Sequence, residues 1–402
     1  MPNPRPSWVA AANAADCDFP LQNLPYGVFS VNGAAPRCGV AIGDRIVDLA
    51  GAEAAGRLDA QGSFARPHLN DFIALGRPAW EATRARLTEL LARDGDRDLP
   101  TVAMADATLH LPIRVAEFTD FYASRNHAFN VGVLFRGPEN ALPPQWTHMP
   151  IGYNGRASSV VVSGTGIRRP MGQVRGEDGP VWTACRRLDL ELELGAIVGA
   201  DSRMGERIGV EAAEAMIFGY VLLNDWSARD IQAWEYQPLG PFQSKALGTT
   251  ISPWIVTTAA LEPFRCTGAT RDNPLLPYLQ ERRPGFFDID LAWSMNGQVM
   301  ARTNYKVMYY SSAQQLAHHT ESGCPMRVGD LLGTGTISGP DLDQTGALLE
   351  MTQGGKRPVR VNGQPRTFIK DGDTVALHGH AQGDGYRIGF GPCTGTILPA
   401  TE

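Results

Sequence analysis

The stretch Leu188–Leu194 alternates leucine with a carboxylate residue without a break, and its carboxylates are Asp189, Glu191 and Glu193. A period of two predicts a β-strand with the leucines on one face and the carboxylates on the other. Neighbouring carboxylates on such a face lie about 6.6 Å apart, and they repel one another unless water screens them or a cation lies between them. The stretch alone therefore leaves two interpretations open, a strand wetted on one side and part of a cation site.

The composition is that of an ordinary globular protein. The 402 residues are 43% hydrophobic and 19% charged, which suits a large core or two domains. A net charge of −6 argues against nucleic acid or an anionic membrane as a partner. Six scattered cysteines without a Cys-x-x-Cys pair are typical of reduced cytosolic thiols. The segment Met1–Pro6 lacks the apolar core of a signal peptide, so we expect a soluble cytoplasmic protein.

The first 115 residues are predicted to form a small separate domain. Tyr26–Val31 has the pattern of a strand, and Gly43-Asp44 separates two further short strands. Pro78 is expected to open a helix with an apolar stripe that contains Trp80 and Leu87. We find no cluster of polar residues here that needs chemistry to explain it, so packing or dimerisation is the expected role.

Residues that can carry chemistry become frequent after Phe118. Asp120, Tyr122 and His127 place an acid, a phenol and an imidazole within eight residues. The rest of the chain is mostly short strands separated by glycine-rich turns, with few helices. The fold class predicted for residues 116–402 is therefore also mainly β.

A second chemical segment follows an apolar strand. Asp225 lies where that strand is predicted to end and a helix to begin. If Ser227 caps the helix, then Arg229, Gln232 and Tyr236 share one of its faces.

The candidate metal ligands are all oxygen donors, without cysteine or histidine, and they are Asp120, Glu191, Glu193 and Asp225. Oxygen ligands suit hard dications such as Ca²⁺ or Mg²⁺. The alternatives stay open for single residues, because Asp120 could cap a helix and Asp225 could be a turn residue. Asp189 lies at the entrance of the strand, where we expect it to pair with Arg186 or Arg187.

Three further residues are candidates for catalysis. His127 stands out among eight histidines because it follows Asp120 and Tyr122 so closely. Lys245 lies in apolar surroundings, and a buried lysine needs a partner. Glu350 ends the apolar run Ala347–Glu350, which we expect to be a strand that places the carboxylate inside.

Several motifs together resemble the fumarylacetoacetase family. They occur in order between about Phe118 and Pro399, and they are Asp120-Phe121-Tyr122 with His127, Val131–Gly137, Gly152-Tyr153, Leu190–Glu193, Asn224–Gln232, Gly248–Trp254 and Gly335–Gly339. The N-terminal segment also has the size expected of the full-length type. One departure is Asn154, where the family pattern suggests histidine, and none of the roles below depends on it.

The resemblance implies a small N-terminal SH3-like barrel over residues 1–115 and a mixed β-sandwich roll over residues 116–402. It also implies a homodimer. The expected reaction is hydrolysis of a carbon–carbon bond in fumarylacetoacetate to fumarate and acetoacetate, the last step of tyrosine and phenylalanine catabolism.

The resemblance further implies a role for each site residue. Ca²⁺ would be held by Asp120, Glu191, Glu193 and Asp225, and a second, structural Mg²⁺ site would be framed by Asp225, Lys245 and Thr249. His127 would be the general base, oriented by Glu350. The developing negative charge would face Arg229, Gln232 and Lys245, and the substrate would be bound by Tyr122, Arg136, Tyr153, Gln232, Tyr236 and Thr336.

Two other functions stay open. A non-catalytic metal-dependent binding protein would keep the carboxylates but has no need of His127, Glu350 and Lys245 together. A hydrolase or decarboxylase for another acylpyruvate-type diketo acid would keep the metal ligands and differ at Arg136, Tyr236 and Thr336, all of which are present here.

Overall fold

The computed structural model describes residues 5–401, in which strands predominate. Among these residues, only the α-helices Arg77–Leu91 and Arg125–Arg136 exceed ten residues. The prediction of a mainly β fold with few helices is therefore confirmed. Residues 1–4, which belong to the segment used for the signal-peptide expectation, lie outside the described part of the chain. No helix within residues 5–401 is long and apolar enough to cross a membrane.

The N-terminal sheet is antiparallel, and its strands lie in the order Thr101–Ala103, Arg45–Asp48, Arg37–Ile42, Tyr26–Val31 and Ala107–His110. Gly43 has the positive φ of 57° that the predicted hairpin turn requires. Pro78 lies in the first turn of the helix Arg77–Leu91, which buries Trp80 and Leu87 as predicted. The SH3-like assignment and the domain boundary at residue 115 stay predictions.

The N-terminal sheet shares a core with the rest of the chain. One cluster of buried apolar side chains contains Tyr26, Phe72 and Trp80 together with Phe218 and Ile255. The Tyr26 amide also donates a hydrogen bond to the Ile255 carbonyl at 3.0 Å. The first part of the chain is thus packed against the sheet that carries the candidate site.

The largest sheet carries three of the four predicted metal ligands, Asp120, Glu193 and Asp225. Its strands lie in the order Gly152–Asn154, Phe118–Phe121, Leu331–Gly333, Leu192–Val198, Ile217–Asp225, Thr249–Ile251 and Val160–Val162, and Val256–Thr257 also pairs with Ile217–Asp225. The central strands Leu192–Val198 and Ile217–Asp225 are antiparallel, and every residue of both is buried. A polar side chain on these strands is therefore held in a dry, rigid environment.

A second sheet packs on the first through one apolar cluster, and its strands lie in the order Gln298–Asn304, Asp290–Met295, Thr374–Gln382, Cys393–Leu398 and Ile167–Arg168, with Arg387–Gly389 beside Thr374–Gln382. The two-stranded ladders pair Met171–Arg175 with Pro180–Ala184, Leu188–Asp189 with Ser227–Ala228, Arg265–Cys266 with Phe286–Phe287, and Val359–Val361 with Gln364–Arg366.

The helices lie around these sheets. The other α-helices are Leu49–Ala54, Asn70–Ile73, Val210–Met216, Arg229–Glu235, Gln243–Ala246, Thr258–Leu261, Ser312–Thr320 and Leu348–Met351. Single 3₁₀ turns occur at Ala10–Asn13, Ser63–Ala65, Met104–Asp106, Pro138–Asn140, Ala157–Ser159, Glu262–Phe264, Pro277–Leu279, Tyr305–Val307 and Leu342–Gln344.

The alternating stretch Leu188–Leu194 is not one continuous strand. Leu188–Asp189 pairs with Ser227–Ala228, the chain leaves the ladder at Leu190 and Glu191, and a second strand begins at Leu192. All seven residues are buried, so the interpretation as a strand wetted on one side is wrong. The alternation indicates that the two faces differ in polarity, but it does not indicate whether water or buried polar groups cover the polar face.

Two local predictions are also wrong. Ser227 lies in a strand and does not cap the helix Arg229–Glu235, whose N-cap is Ala228, and the Ser227 hydroxyl donates to the Asp225 carbonyl instead. Glu350 lies in the short helix Leu348–Met351 rather than in a strand. Tertiary contacts override the local pattern there, because the Asp189 carboxylate accepts the first amides of this helix.

Candidate active site

Four carboxylates meet at the largest sheet, three of them on its strands and the fourth, Glu191, just before the strand Leu192–Val198. They are Asp120, Glu191, Glu193 and Asp225, and each offers an oxygen within 4.8 Å of those of the other three. None of the four residues is more than 4% exposed. The structure thus brings the four predicted ligands together, and their role as ligands stays a prediction. The local alternatives of a helix cap for Asp120 and a turn for Asp225 are wrong because both residues lie in strands.

Two oxygens of this carboxylate cluster fit a bound cation. Among the described residues, Asp120 Oδ1 and Glu193 Oε1 are buried without a hydrogen-bond partner, although Glu193 Oε2 accepts the Gly335 amide at 2.8 Å. A buried acceptor without a partner is costly, and a cation would satisfy both atoms. Burial raises the pKa of Asp120, Glu193 and Asp225, and the neighbouring carboxylates add to this effect for each of them. A dication would counteract both effects.

Two buried cationic side chains contact the carboxylate cluster. Arg229 Nη2 donates to Glu191 Oε1 at 2.8 Å, and Lys245 Nζ contacts Glu191 Oε2 and lies 2.5 Å from Asp225 Oδ2. Burial would raise the pKa of Glu191, but Arg229 and Lys245 outweigh it and hold that pKa below its usual range. The four carboxylates, Arg229 and Lys245 sum to a formal charge of −2, and the buried carboxylate of Asp189, which also binds Arg229, makes it −3, so a dication would offset most of this charge.

The expected pairing of Asp189 with Arg186 or Arg187 is wrong. Asp189 is fully buried, and its Oδ2 accepts from Arg229 Nε at 2.8 Å. The arginine lies 40 residues further along the chain, so nothing in the local sequence could have indicated this pair.

His127 and Glu350 form a buried pair next to the carboxylate cluster. His127 Nδ1 lies 2.7 Å from Glu350 Oε2, and His127 Nε2 lies 3.6 Å from Glu191 Oε1. A carboxylate only accepts hydrogen bonds, so Nδ1 carries a proton, and Nε2 is directed toward the cluster. Ser124 caps the helix that carries His127, because its hydroxyl accepts the His127 amide.

The residues that hold Glu350 were not among those predicted from the sequence. Ser338 Oγ donates to Glu350 Oε2 at 2.8 Å, and Asn130 Nδ2 donates to Glu350 Oε1 at 3.0 Å. A signal for Asn130 was present, because it lies three residues after His127 and hence on the same helix face. Ser338 gave no signal beyond its place in a glycine-rich motif.

A cavity of about 420 Å³ opens beside the carboxylate cluster. Its lining includes most of the residues predicted for the site, namely Asp120, Tyr122, His127, Arg136, Tyr153, Glu191, Glu193, Arg229, Gln232, Tyr236, Lys245 and Thr336. Its size is that of a pocket for a small organic molecule. The loop Pro238–Pro241, which sequence analysis did not single out, also lines it.

Some of these side chains are already engaged. The Tyr153 hydroxyl donates to Asp225 Oδ2 at 3.1 Å, and Arg136 donates to the carbonyls of Asn140 and Ala141. Gln232 accepts from Arg229 through its carbonyl oxygen, which leaves its amide group free to donate. Burial raises the pKa of Tyr122 and Tyr153, so both stay protonated.

The residues predicted for a second cation site are brought together only in part. Thr249 Oγ1 lies 3.4 Å from Asp225 Oδ1, at the limit of a hydrogen bond. The Lys245 ammonium contacts Asp225 but is itself a cation, so only the main-chain carbonyl of Lys245 could serve as a ligand.

Gly333 is a further residue that sequence analysis missed. A Cβ at this position would lie 2.6 Å from Asp120 Oδ1 and 3.0 Å from Glu193 Oε2. Gly333→Ala should therefore displace both carboxylates and weaken dication binding by about 10–100-fold, the usual cost of disturbing the surroundings of ligands. Calcium titration of the purified variant measures this. Gly209→Ala is the control, because a Cβ there meets nothing within 4 Å, and equal affinity in the two variants would contradict the expectation.

Comparison with known proteins identifies the family of this chain. The Fumarylacetoacetase N-terminal family matches residues 22–112, and the Fumarylacetoacetate (FAA) hydrolase C-terminal family matches residues 117–398. The fumarylacetoacetase of Bos taurus is 51% identical over 412 residues, which cover 96% of this chain and 98% of the relative. The chain belongs to the fumarylacetoacetase family. The predicted resemblance is confirmed, and with it the assignment as an enzyme of the hydrolase class.

Other members agree over the same length. The fumarylacetoacetase of Homo sapiens is 50% identical, and the match covers 96% of this chain and 98% of the relative. That of Arabidopsis thaliana is 48% identical, and the match covers 96% of this chain and 97% of the relative. Because these matches cover 96% of this chain, the family assignment is not limited to one part of it.

Solved structures share the fold at low sequence identity. A fumarylacetoacetate hydrolase from Exiguobacterium antarcticum superposes with a TM-score of 0.58 at 19% identity, covering 94% of this chain and 99% of its own. A maleylpyruvate hydrolase from Sphingobium sp. SYK-6, in complex with manganese (II) ion and pyruvate, gives a TM-score of 0.54 at 16% identity, covering 94% and 100%. At these identities the likeness supports the architecture alone.

Proposed function

We propose that this chain hydrolyses fumarylacetoacetate to fumarate and acetoacetate. The observation that carries the proposal is the position of His127, with Nδ1 on Glu350 and Nε2 toward a cluster of four buried carboxylates, three of which line the same cavity as His127. The oxygen of water bonds to the carbonyl carbon of the fumaryl part, and the bond from that carbon to the methylene group breaks. The electron pair leaves with the acetoacetate carbon, which takes up a proton.

His127 is the general base in this proposal. Its Nε2 lone pair removes a proton from a water molecule that enters the cavity. Such a role contributes a factor of about 10²–10⁴ in rate. Glu350 keeps the proton on Nδ1 and stabilises the imidazolium that forms, and Ser338 and Asn130 keep Glu350 in place.

The cationic and amide side chains face the negative charge that develops during cleavage. Arg229 and Lys245 are buried, so their charges act in a medium of low dielectric constant and are worth more than in water. The free amide group of Gln232 is a further donor. We propose that Tyr122, Arg136, Tyr153, Tyr236 and Thr336, which line the same cavity, bind the two ends of the substrate.

The carboxylate cluster would hold Ca²⁺ through Asp120, Glu191, Glu193 and Asp225. All four ligands are carboxylates, and two of them have a buried oxygen without a hydrogen-bond partner, which supports a hard dication there. When bound, the ion supplies Lewis-acid polarisation of the diketone oxygens. We also propose a second, structural Mg²⁺ site, which is framed by Asp225, the Lys245 main chain and Thr249.

Glu193→Gln should weaken Ca²⁺ binding and hydrolysis together. The neutral amide removes one charge and one coordination mode, so the loss of affinity should exceed the about 10–100-fold cost of changing an outer partner. Metal analysis of the purified variant checks this. Asp373→Asn is a control, because Asp373 is a buried carboxylate outside the cluster. Unchanged metal content in Glu193→Gln would remove this residue from the site.

Membership of the fumarylacetoacetase family supports a proposal for the physiological setting. We propose that the chain acts as a homodimer in the cytoplasm, at the last step of tyrosine and phenylalanine catabolism. We propose the division into an SH3-like barrel at 1–115 and a catalytic β-sandwich roll at 116–402 on the same basis.

An assay with two kinds of substrate tests the proposed function. The loss of diketone absorbance is followed with fumarylacetoacetate and, separately, with simpler acylpyruvates. Faster turnover of fumarylacetoacetate supports the proposal. A preference for a simpler acylpyruvate would assign the chain to another diketo acid, and no turnover of either would favour a non-catalytic binding protein.

A further inference from the structure

Asp189 lies between the two halves of the candidate site. Its side chain is fully buried, and its two oxygens accept four hydrogen bonds. Oδ1 accepts the amides of Leu190 and Leu348, both at 2.9 Å. Oδ2 accepts Arg229 Nε at 2.8 Å and the amide of Leu349 at 3.1 Å.

These partners belong to different parts of the machinery. Arg229 also donates to Glu191, one of the four carboxylates of the cluster, and to Gln232. The amides of Leu348 and Leu349 begin the short helix that carries Glu350. A helix of four residues has little stability of its own, so its place depends on the groups that hold its ends.

We propose that Asp189 is a positioning residue that holds Arg229 and the Glu350 helix in one fixed arrangement. This inference rests on the proposed roles of Arg229 and Glu350. Through Arg229 the Asp189 carboxylate orients a donor at the metal cluster, and through the helix it sets where Glu350 meets His127. Asp189 thereby fixes the position of the general base relative to the charge-stabilising groups, although Asp189 itself does not line the cavity.

The variant Asp189→Asn tests whether Asp189 positions catalytic groups or only contributes to the packing of the protein interior. The amide has nearly the same shape but only one acceptor oxygen, so two of the four donors lose their partner in either orientation of the side chain. We expect kcat to fall by about 10–100-fold, the size of effect that small misplacements of catalytic groups produce. KM should change by less than about threefold, because the substrate-binding residues stay in place.

Two further variants keep the test decisive. Asp189→Glu retains the charge beside Arg229 but moves the carboxylate by one methylene, so it should fold even if Asp189→Asn does not, and kcat should still fall. Asp373→Asn is the matched control, because Asp373 is also buried, pairs with Arg366 and accepts a backbone amide from Lys370. We expect a lower Tm in this control with kcat unchanged.

Kinetics and thermal unfolding of these variants, with Asp189→Asn also made in the Glu350→Gln background, test the inference. In that background Asp189→Asn should lower kcat by less than it does in the wild type, because the part of its effect that acts through Glu350 is already lost while the part that acts through Arg229 remains. Three results would each overturn the inference. They are a wild-type kcat in Asp189→Glu, kcat losses that multiply fully when Asp189→Asn and Glu350→Gln are combined, and a kcat loss in Asp373→Asn equal to that in Asp189→Asn. A wild-type chain without hydrolase activity would overturn the proposed function as well, whereas these three results beside an active wild type overturn only the role of Asp189.

Discussion

Removing His127 and Glu350 together is expected to cost little more activity than removing either residue alone. His127→Ala removes the base, and Glu350→Gln removes the carboxylate that fixes its tautomer and stabilises its charged form. Each change should lower kcat by about 10²–10⁴. Residues that act as one unit are not additive, so the double variant should resemble the weaker single variant. Steady-state kinetics of the four proteins in this cycle measure the coupling.

The same variants should keep their fold and their metal. Neither residue belongs to the carboxylate cluster, so calcium binding should stay close to that of the wild type. His378→Ala is a control in the second sheet, where this histidine contacts Ser294, and its kcat should be unchanged. Multiplicative losses from His127→Ala and Glu350→Gln would mean that the two residues act independently, and the proposed pair would then have to be abandoned.

Lys245→Met should lower kcat by about 10²–10³, the usual loss for one donor to a developing oxyanion. Methionine is close in length to lysine and apolar, so the cavity keeps its shape while the buried charge is lost. Binding of a dication should be retained, because the variant removes a positive charge beside Glu191 and Asp225 and no carboxylate. Kinetics and calcium titration of the same preparation measure both properties.

Lys306→Met is the control for this change. Lys306 also pairs with an aspartate, Asp288, but the pair is about half exposed and remote from the cavity. Exposed pairs contribute little, so both its kcat and its Tm should be close to those of the wild type. If Lys245→Met changes only KM, then Lys245 binds the ground state of the substrate and does not stabilise the transition state.

Much of the site was predictable because its residues carry their chemistry in their type and local spacing. The alternating carboxylates, the close spacing of Asp120 and His127, and a lysine in apolar surroundings each indicated an unusual environment. The resemblance of ordered motifs to one family then assigned roles that spacing alone left open. The strand that ends at Asp225 and the helix that Pro78 opens were correct because an apolar run and a proline in the first turn act locally.

The predictions that failed depend on contacts between distant parts of the chain. Asp189 pairs with Arg229 rather than with Arg186 or Arg187, and Glu350 lies in a helix because Asp189 accepts the amides at its start. Ser338 is adjacent to Glu350 only in the folded chain. The importance of Gly333 is set by two carboxylates that face it from neighbouring strands. No local pattern contains this information.

The central claim is that four buried carboxylates hold a dication on which hydrolysis depends. The most direct measurement is fumarate release from fumarylacetoacetate by the full chain after chelation, before and after Ca²⁺ is added back, with metal content determined in parallel. We predict that chelated protein is folded but inactive, and that activity returns in proportion to bound Ca²⁺. Full turnover by folded, metal-free protein would contradict the account.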